Sequence, residues 1–321
     1  FYTAYIRNSH TYLSPPSQKN SLPDKQYPTG HQQSTEYHPE KPAHRPYLYS
    51  VSVGKTSGLL INFPDGKIRL GKLHMDLKNK IVVITGSSSG IGKSTALEFA
   101  KQGAKIVINY RRNSTEAQKT VEEIKKLGSD AVSVKADVSD PAEVKTLFTV
   151  VLKRFGTVDI LINNAGLAKA KPFLEITKDD LTNEFSENFF GQVYCSQEAA
   201  KIMMKNGGGK ILNIASICGM ERSGCGDILT YTSAKAAVIT FTRTLAKVLA
   251  PKITVNAVAP GFTLTRYWNG TSKQEEQQLL DLTLLKKWVK PEEIAKAFLY
   301  LASNDSVTGE VLVVDGGYTI K

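Results

Sequence analysis

The sequence lacks histidine over most of its length. All five histidines precede Met75, and the residues from there to Lys321 contain none. Catalysis by a Ser-His-Asp or Cys-His arrangement is therefore excluded from that part of the chain, and a zinc site built on imidazole is disfavoured. Acid–base chemistry there must use Tyr, Lys, Asp, Glu or Cys side chains.

Cysteine is also scarce, and long apolar runs are absent. Cys195, Cys218 and Cys225 are odd in number and lack Cys-x-x-Cys spacing, which favours reduced thiols in a cytoplasmic protein over a disulfide framework. No apolar run reaches the length of about 18 residues that a membrane-spanning helix needs. We therefore expect no membrane partner.

The net charge of +11 is spread along the chain rather than concentrated. Residues 1–74 carry nine Lys and Arg against four Asp and Glu, and the remaining excess is dispersed over residues 75–321. A dispersed excess is more typical of solubility than of nucleic-acid binding, so no nucleic-acid partner is expected. Nucleic-acid or surface binding by the basic leader is the alternative, which a salt titration with and without residues 1–74 would separate.

The first quarter of the chain differs in composition from the rest. Eight of the thirteen prolines precede Met75, and residues 1–74 form a Pro/His/Tyr-rich extension without a sustained apolar period. We predict that this extension is largely disordered, with a possible hairpin at residues 59–70 around Pro64-Asp65-Gly66. Residues 75–321 are predicted to form a single domain.

Short β-branched runs alternate with helical patterns in that domain. Six of the seven runs are followed by a stretch long enough for a helix. Parallel strands that are buried on both faces read as such runs, so the pattern predicts an α/β fold: a doubly wound Rossmann-type domain with a seven-stranded parallel sheet. The runs start at Ile81, Lys105, Ala131, Asp159, Lys210, Ile253 and Val311.

A glycine-rich turn joins the first of these strands to a predicted helix over residues 93–102. Glycine permits a sharp turn and the close approach of a pyrophosphate, and the helix N-terminus offers free N–H groups to it. A nucleotide-hydrolysing P-loop is disfavoured, because Ser87 stands where its first glycine is required before Gly92-Lys93. The candidate cofactor-binding residues of the turn are Gly86, Ser88, Ser89, Gly90, Ile91 and Gly92.

The end of the second strand bears on the choice of dinucleotide. Tyr110 stands where an acidic residue would bind the adenosine ribose of NAD, and Arg111 and Arg112 follow it. This pattern favours NADP(H), with NAD(H) still possible, and Arg111 as the phosphate partner through a charge-assisted bond. The alternative is that both arginines only decorate an exposed loop.

Tyr231 and Lys235 are the candidate proton donor and its partner. Hydride transfer to a carbonyl leaves an alkoxide that needs a proton, and without histidine a tyrosine is the obvious donor. The two residues are spaced i,i+4, so on a helix they share a face and the ammonium is expected to lower the phenol pKa. The alternative is a half-buried aromatic residue beside a solvated lysine.

Several motifs over residues 77–318 resemble the short-chain dehydrogenase/reductase family. They follow one another in the family's order. The sequence departs from the family pattern at two positions: Thr263 stands where an aliphatic residue is usual, and Ala215 stands where a serine is usual. The motifs are Thr85-Gly-Ser-Ser-Ser-Gly-Ile-Gly92, Asp137-Val138, Asn163-Asn-Ala-Gly166, Asn188, Ser216, Tyr231-Thr-Ser-Ala-Lys235, Pro260-Gly261 and Asp315-Gly-Gly317.

The resemblance implies a role for each matching residue. Lys235 would also bind the nicotinamide ribose, Ser216 would orient the substrate oxygen, and Asn188 would hold a water in a proton relay to Lys235. Taken singly, Ser216 could be a turn residue and Asn188 a helix polar group. The implied cofactor contacts are Asp137 and Val138 for adenine, Asn164, Ala165 and Gly166 for ribose and phosphates, and Pro260, Gly261, Thr263 and Thr265 around the carboxamide.

The resemblance also implies an oxidoreductase that acts on CH–OH groups of a small-molecule carbonyl or alcohol substrate. Residues 75–321 look most similar to 3-oxoacyl-ACP reductases, with sugar (glucose-type) or other secondary-alcohol dehydrogenases as the alternative. The apolar segment 264–288 is expected to cover the substrate. A catalytically silent dinucleotide-sensing scaffold is an alternative of another class. Phe241 and the stretch 245–249 resemble a helix that pairs in oligomers, which implies a homotetramer or homodimer.

Overall fold

The structure is a computed structural model that describes residues 76–321 other than residue 222, together with the backbone of three short strands before them. Contacts divide the chain into two units, Phe1–Gly71 and Lys72–Lys321. The prediction of disorder in the extension lies outside the described residues, apart from those strands.

The three strands of the first unit form an antiparallel sheet. β1 (Ser50–Val53) pairs with β2 (Leu59–Phe63), which pairs with β3 (Gly66–Arg69). Phe63 of β2 stands opposite Gly66 of β3. The turn predicted at Pro64-Asp65 lies outside the described residues. β1 was not predicted from the sequence.

The second unit is built on a seven-stranded sheet in which every pairing is parallel. The strand order is β10-β9-β8-β7-β4-β5-β6, which confirms the predicted doubly wound architecture. The strands are β4 (Ile81–Ile84), β5 (Lys105–Tyr110), β6 (Ala131–Lys135), β7 (Ile160–Asn163), β8 (Gly209–Ile214), β9 (Ile253–Pro260) and β10 (Val311–Val314).

Eight helices accompany these strands in the described part of the chain, and a π-helical segment, Ser186–Phe190, joins two of them. None of the described helices is both long and apolar enough to cross a membrane. The helices are α1 (Gly90–Lys101), α2 (Ser114–Lys126), α3 (Pro141–Phe155), α4 (Lys178–Phe185), α5 (Gly191–Lys205), α6 (Leu229–Leu249), α7 (Lys273–Asp281) and α8 (Pro291–Ser303).

Alternate residues of the central strands point into two separate apolar layers. Ile84 of β4 packs in one layer with Phe99 of α1 and Phe298 of α8, whereas Val83 packs in the other with Leu147 of α3 and Met203 of α5. Burial on both faces explains why the strands read as continuous β-branched runs.

A chain of buried hydrogen bonds attaches α6 to the sheet. Asn163 at the end of β7 donates from Nδ2 to Asn213 Oδ1 at 2.9 Å, and Asn213 of β8 donates from Nδ2 to Thr242 Oγ1 at 2.9 Å. These bonds satisfy polar groups inside the core and give α6 a defined position on the sheet.

The carboxyl ends of the parallel strands meet along one edge of the sheet. The strand order reverses between β4 and β7, and the crevice at such a reversal is where ligands bind in open α/β sheets. Gly86 follows β4 at this edge, Arg111 follows β5, Asn164 follows β7 and Ser216 follows β8. The fold therefore brings the candidate cofactor and catalytic residues to a common edge.

Candidate active site

The glycine turn after β4 is held from both neighbouring strands. The backbone N–H of Gly86 donates to Asn109 Oδ1 at 3.1 Å, and Nδ2 of Asn164 donates to the carbonyl oxygens of Thr85 at 2.9 Å and Gly86 at 3.1 Å. Thr85 Oγ1 accepts from the backbone N–H groups of Asn164 and Ala165 at 2.9 and 3.0 Å. The side chain of Asn164 thus shapes the turn.

Two glycines of the turn have left-handed backbone conformations and differ in their surroundings. Gly86 has φ +60, and a Cβ on it would lie 2.9 Å from Ala165 Cα. Gly90 has φ +57 and begins α1, and a Cβ on it would approach nothing closer than Thr265 at 3.7 Å. The turn is therefore closely packed against Ala165 at Gly86 and open at Gly90. The open side lies at the N-terminus of α1, an arrangement that suits the binding of a dinucleotide pyrophosphate.

Lys93 lies in α1 and takes no part in this turn. Its Nζ forms an ion pair with Glu123 of α2 at 2.7 Å. This contact agrees with the predicted helix over residues 93–102 and with the absence of a P-loop role for Lys93.

Arg111 is engaged by two carboxylates. Its Nη1 donates to Glu187 Oε1 at 2.9 Å and to Asp137 Oδ2 at 3.3 Å. Partial burial alone would lower the pKa of Arg111, but the two acids raise it above its ordinary value. Arg112 is exposed and forms no ion pair within the part of the chain that the structure describes. The engagement of Arg111 by Glu187 was not predicted.

Ser216, Tyr231 and Lys235 come together at the ends of β8 and the start of α6. Ser216 is buried and its Oγ accepts from the backbone N–H of Cys218 at 3.2 Å. The pKa of the Tyr231 phenol is raised to about 12, chiefly by burial and to a lesser extent by Tyr267 and Glu184, whereas the nearby Ser216 hydroxyl lowers it. The two hydroxyls are therefore neighbours in the structure.

Lys235 lies on the same helical face as Tyr231, as their spacing predicted. Its Nζ is 5.4 Å from the centre of the Tyr231 ring and donates to the Ile214 carbonyl oxygen at 3.1 Å. Burial lowers the pKa of Lys235 to about 7, and the charge of Glu184 opposes that shift. The expected lowering of the Tyr231 pKa is therefore wrong for these residues alone, because burial penalises the phenolate and the ammonium together.

Asn188 lies in the π-helical segment, fully buried. Its Nδ2 donates to the Leu167 carbonyl oxygen at 2.9 Å and to the Glu184 carbonyl oxygen at 3.1 Å. Its Oδ1 accepts no hydrogen bond from any residue that the structure describes. A Cβ on Gly166 would lie 2.5 Å from this oxygen and 3.5 Å from Lys235 Nζ, so both atoms face the same small space.

The segment after β9 lines the edge beside the glycine turn. Gly261 approaches the chain near Asp315 closely, since a Cβ on it would lie 2.6 Å from Asp315 Cα. Thr263 is buried and donates from Oγ1 to the Gly261 carbonyl oxygen at 3.0 Å. Thr265 faces Gly90. The polar character of Thr263 is thus satisfied locally within the segment.

Val138 is buried in the apolar layer beneath the adjacent end of β6. Asp137 accepts from the Ser139 backbone N–H at 3.0 Å and from its hydroxyl at 2.7 Å. Partial burial alone would raise the pKa of Asp137, but the bonds from Ser139 and the charge of Arg111 hold it below its ordinary value.

The apolar segment 264–288 contains a 3-10 turn, Arg266–Trp268, and α7. Leu279 is buried, and Trp268 packs on Trp288 with ring centres 5.1 Å apart. Leu264, Tyr267, Leu282, Leu284 and Leu285 remain exposed. Part of the segment therefore packs on the domain, and part presents apolar surface.

The cysteine prediction is wrong for two of the three residues. Cys218 and Cys225 form a disulfide with Cα atoms 5.4 Å apart, and Cys195 is the free, buried thiol. The bridge spans the loop between Ser216 and Tyr231. Spacing rules for Cys-x-x-Cys motifs do not detect it, because the loop, rather than the sequence separation, brings the two residues together.

Glu184 is a further acid at the site that the sequence reasoning missed. It lies near the end of α4 with 3% of its surface exposed, and its Oε1 accepts from the Lys169 backbone N–H at 3.3 Å. Its position four residues before Asn188 places the two on neighbouring turns of a helix, which was the available signal.

Comparison with known proteins identifies the family. A family model described as enoyl-(acyl carrier protein) reductase matches residues 86–319. The 3-oxoacyl-[acyl-carrier-protein] reductase of Synechocystis sp. is 38% identical over 245 residues, which are 75% of this chain and 97% of that protein. The (2S)-[(R)-hydroxy(phenyl)methyl]succinyl-CoA dehydrogenase subunit BbsD of Thauera aromatica is 38% identical over 249 residues, 77% of this chain and 99% of that one.

Solved structures agree. A 7α-hydroxysteroid dehydrogenase in complex with NADH and 7-oxoglycochenodeoxycholic acid superimposes with a TM-score of 0.72 at 36% identity, covering 75% of this chain and 94% of that one. A short-chain dehydrogenase of Burkholderia cenocepacia in complex with NADP gives 0.71 at 31% identity, covering 76% and 99%. The chain therefore belongs to the short-chain dehydrogenase/reductase family and is a nicotinamide-dependent oxidoreductase that acts on CH–OH groups.

Proposed function

We propose that this protein reduces a 3-oxoacyl thioester to the 3-hydroxyacyl thioester, with NADPH as the reductant and Tyr231 as the general acid. The observation that carries the proposal is the convergence of Ser216, Tyr231 and Lys235 at the carboxyl edge of the sheet, beside the glycine turn. Without histidine after Met75, Tyr231 is the side chain here that can supply the proton.

Each residue of the group has a separate task. Tyr231 donates its hydroxyl proton to the substrate oxygen as the C–O bond becomes that of an alcohol. Ser216 donates a hydrogen bond that orients the same oxygen. Lys235 stabilises the phenolate that Tyr231 becomes, and Asn188 presents Oδ1 toward Lys235 for a water-borne proton relay. These roles require both hydroxyls to reach one oxygen, and the Ser216 hydroxyl lies near enough to the Tyr231 phenol to lower its pKa.

The dinucleotide would bind along the strand ends, where NADPH supplies the hydride. The open turn at Gly90 would hold its pyrophosphate, and Asp137 and Val138 would flank the adenine. Asn164, Ala165 and Gly166 would lie beside the ribose and phosphates, and the Pro260–Thr265 segment beside the carboxamide.

The preference for NADPH rests on charge. Arg111 and Arg112 place two cations after β5, where a dinucleotide carries either a ribose hydroxyl or a phosphate, and Tyr110 supplies no acid to accept from the hydroxyl. Relatives of known structure bind either NADH or NADP, so the choice must come from this chain's own residues.

The thioester substrate is supported by the names of two relatives and by the exposed apolar surface of the segment 264–288. The Synechocystis reductase is named for an acyl-carrier-protein substrate and the Thauera subunit for a CoA ester, both of which are acyl thioesters. The exposed side chains of Leu264, Leu284 and Leu285 would provide apolar contacts for an acyl chain.

A substrate panel tests the proposal. Acetoacetyl-CoA, crotonyl-CoA and simple ketones are followed at the nicotinamide absorbance with NADPH and NADH separately, and glucose is followed with NADP⁺ and NAD⁺. We expect reduction of acetoacetyl-CoA with NADPH and no reduction of crotonyl-CoA, whose C=C bond presents no oxygen at the reacting carbon to Tyr231. Turnover of glucose alone would instead support the sugar dehydrogenase alternative.

The Tyr231→Phe variant tests the acid. It should bind dinucleotide normally and lose turnover by about a thousandfold, in the range of general acid catalysis. Tyr300→Phe, on the exposed face of α8, is the matched control and should retain activity. Cofactor binding without turnover of any substrate by the unaltered protein would favour the sensing scaffold.

Assembly and location are part of the same proposal. α6 carries the predicted pairing residue Phe241, which packs edge-on against Phe189 at 5.7 Å, and it exposes Val248. A homotetramer or homodimer would cover such a face, and light scattering coupled to gel filtration measures it. A cytoplasmic location stays a prediction, and the disulfide removes the thiol argument for it.

A further inference from the structure

Glu184 is a buried carboxylate with few partners. Only 3% of it is exposed, and its Oε1 accepts from the Lys169 backbone N–H at 3.3 Å and lies 3.4 Å from Asn188 Nδ2. It forms no ion pair with any described residue. Burial of an acid in this way is costly, and it occurs mostly where the charge has a task.

Four titratable groups face this carboxylate. Lys169 lies in the loop after β7, Glu187 follows on the same helical run, and Tyr231 and Lys235 lie on α6, against which α4 packs. Burial raises the pKa of Glu184, as does Glu187, whereas Lys169 and Lys235 lower it. In return, the Glu184 charge raises the pKa values of both Lys235 and Tyr231.

Glu184 also helps to orient the Asn188 amide. Both N–H groups of Nδ2 are directed toward acceptors on one side, the carbonyl oxygens of Leu167 and Glu184 and the Glu184 carboxylate. A flipped amide would place Oδ1 against these oxygens, with mutual repulsion. Asn188 Oδ1 is thereby held toward Gly166 and Lys235.

We propose that Glu184 is a positioning residue for the proton relay: it stabilises the ammonium form of Lys235 and fixes the Asn188 amide that faces it. The inference rests on the proposed function, because it adds a residue to that same site. Each reduction moves one proton from the Tyr231 hydroxyl to the substrate oxygen, and the resulting phenolate regains its proton from solvent by way of Lys235. Glu184 keeps both groups in the protonated form that reduction requires.

The decisive measurement is the titration of Lys235 without cofactor. Lysine labelled with ¹³C at Cε is followed by NMR against pH, and the Lys235 signal is assigned with Lys235→Arg. Glu184→Gln preserves the size and hydrogen-bonding capacity of the side chain and removes its charge. We expect the Lys235 midpoint to fall by about one pH unit, the size typical of losing a nearby opposite charge.

Glu187→Gln is the matched control, since it makes the same change three residues further along and acts on neither Lys235 nor Tyr231. Its Lys235 midpoint should equal that of the unaltered protein. An unchanged midpoint in Glu184→Gln, or an equal shift in both variants, overturns the proposal. If Glu184→Gln does not fold, Glu184→Asp is measured instead, because its shorter side chain draws the carboxylate back. A fall of the Lys235 midpoint by less than about one pH unit supports the proposal, and an unchanged midpoint overturns it.

Kinetics supply the second readout. The alkaline limb of kcat/KM for carbonyl reduction should move to lower pH in Glu184→Gln, by the same amount as the NMR midpoint, and stay in place in Glu187→Gln. A shifted titration together with no turnover of any carbonyl substrate would refute the proposed function and leave the role of Glu184 intact. Unaltered titration with good turnover would refute the role of Glu184 alone.

Discussion

Asn164 and Gly86 are joined across the strand reversal, with Nδ2 of Asn164 donating to the Gly86 carbonyl oxygen at 3.1 Å. The same contact region brings Gly86 so close to Ala165 that a Cβ would lie 2.9 Å from Ala165 Cα. The turn after β4 and the segment after β7 therefore form one packed unit, and the shape of the turn depends on both.

Replacing Gly86 with alanine should weaken dinucleotide binding. The new Cβ must push the Ala165 backbone away, in addition to the strain of a left-handed conformation, and so widen the turn. We expect the Kd for NADPH, measured by calorimetry, to rise by about tenfold or more, which corresponds to roughly 1.4 kcal/mol.

Gly128→Ala is the control for that experiment. Gly128 also has a left-handed φ, +83, but a Cβ on it would meet nothing within 4 Å. It should lose about 1–2 kcal/mol of stability through backbone strain and keep its dinucleotide affinity. Equal affinity losses in the two variants would show that packing against Ala165 is unimportant.

Arg111→Ala should discriminate between the two dinucleotides. Loss of a charge-assisted bond to the extra phosphate is expected to raise the KM for NADPH by about tenfold and to leave the KM for NADH nearly unchanged. Steady-state kinetics with both dinucleotides measure this. A parallel rise for both would mean that Arg111 serves the fold through Asp137 and Glu187 instead.

Glu187→Gln should act in the opposite direction on the same parameter. The carboxylate of Glu187 competes with a phosphate for Arg111, since it accepts from Nη1 at 2.9 Å. Its neutralisation is expected to lower the KM for NADPH. A higher KM would indicate that Glu187 holds Arg111 in its binding position.

Reduction of the Cys218–Cys225 disulfide should destabilise the protein modestly. The bridge closes a loop with a sequence separation of 7, and cross-links of such short loops contribute about 2 kcal/mol to the free energy of unfolding. Urea unfolding with and without a phosphine reductant measures the change. The Cys218→Ser/Cys225→Ser double variant should be insensitive to the reductant, and residual sensitivity would assign the effect elsewhere.

Lys235→Met should produce an inactive and more stable protein at neutral pH. Burial lowers the pKa of Lys235 from 10.5 to about 7, so between these values the unfolded state binds a proton that the folded state lacks. The free energy of unfolding therefore rises with pH between about pH 7 and 10.5. Below about pH 7 the folded protein must bury a charged ammonium, and the destabilisation by Lys235 is greatest there.

Thermal unfolding at two pH values checks this sign. The gain in Tm of Lys235→Met over the unaltered protein should be large at about pH 6 and shrink at about pH 9.5. A gain that does not depend on pH would mean that Lys235 is not destabilised by burial. Lys247→Met, on the same helix and exposed, should show little gain at either pH.

The sheet could be predicted from the sequence because strands buried on both faces have few alternatives to β-branched runs. The ends of the strands were harder to predict. β9 extends to Pro260, well past the run at 253–255, because backbone pairing with β10 continues there. β1 was missed because Ser50–Val53 is only four residues long, too short for its alternation of serine and valine to stand out as a strand signal.

The sequence predicted which residues come together at the site better than it predicted their pKa values. The i,i+4 spacing of Tyr231 and Lys235 correctly indicated a shared face. It said nothing of their burial, which is complete for Lys235 and partial for Tyr231, and which reverses the expected direction of the Tyr231 pKa shift. The acid beside them, Glu184, is buried by the packing of α4 on α6, a relation between elements distant in sequence.

The hydrogen bond between Asn213 and Thr242 has a consequence for the angular setting of α6. Thr242 follows Tyr231 by eleven positions, about three turns of helix, so both residues leave the axis in nearly the same direction. A purely apolar contact would allow α6 to rotate about its own axis. The hydrogen bond between Asn213 and Thr242 restricts that rotation because donor and acceptor must stay aligned. The buried amide of Asn213 therefore fixes the direction of the Tyr231 phenol, from a distance of some 16 Å along the helix axis.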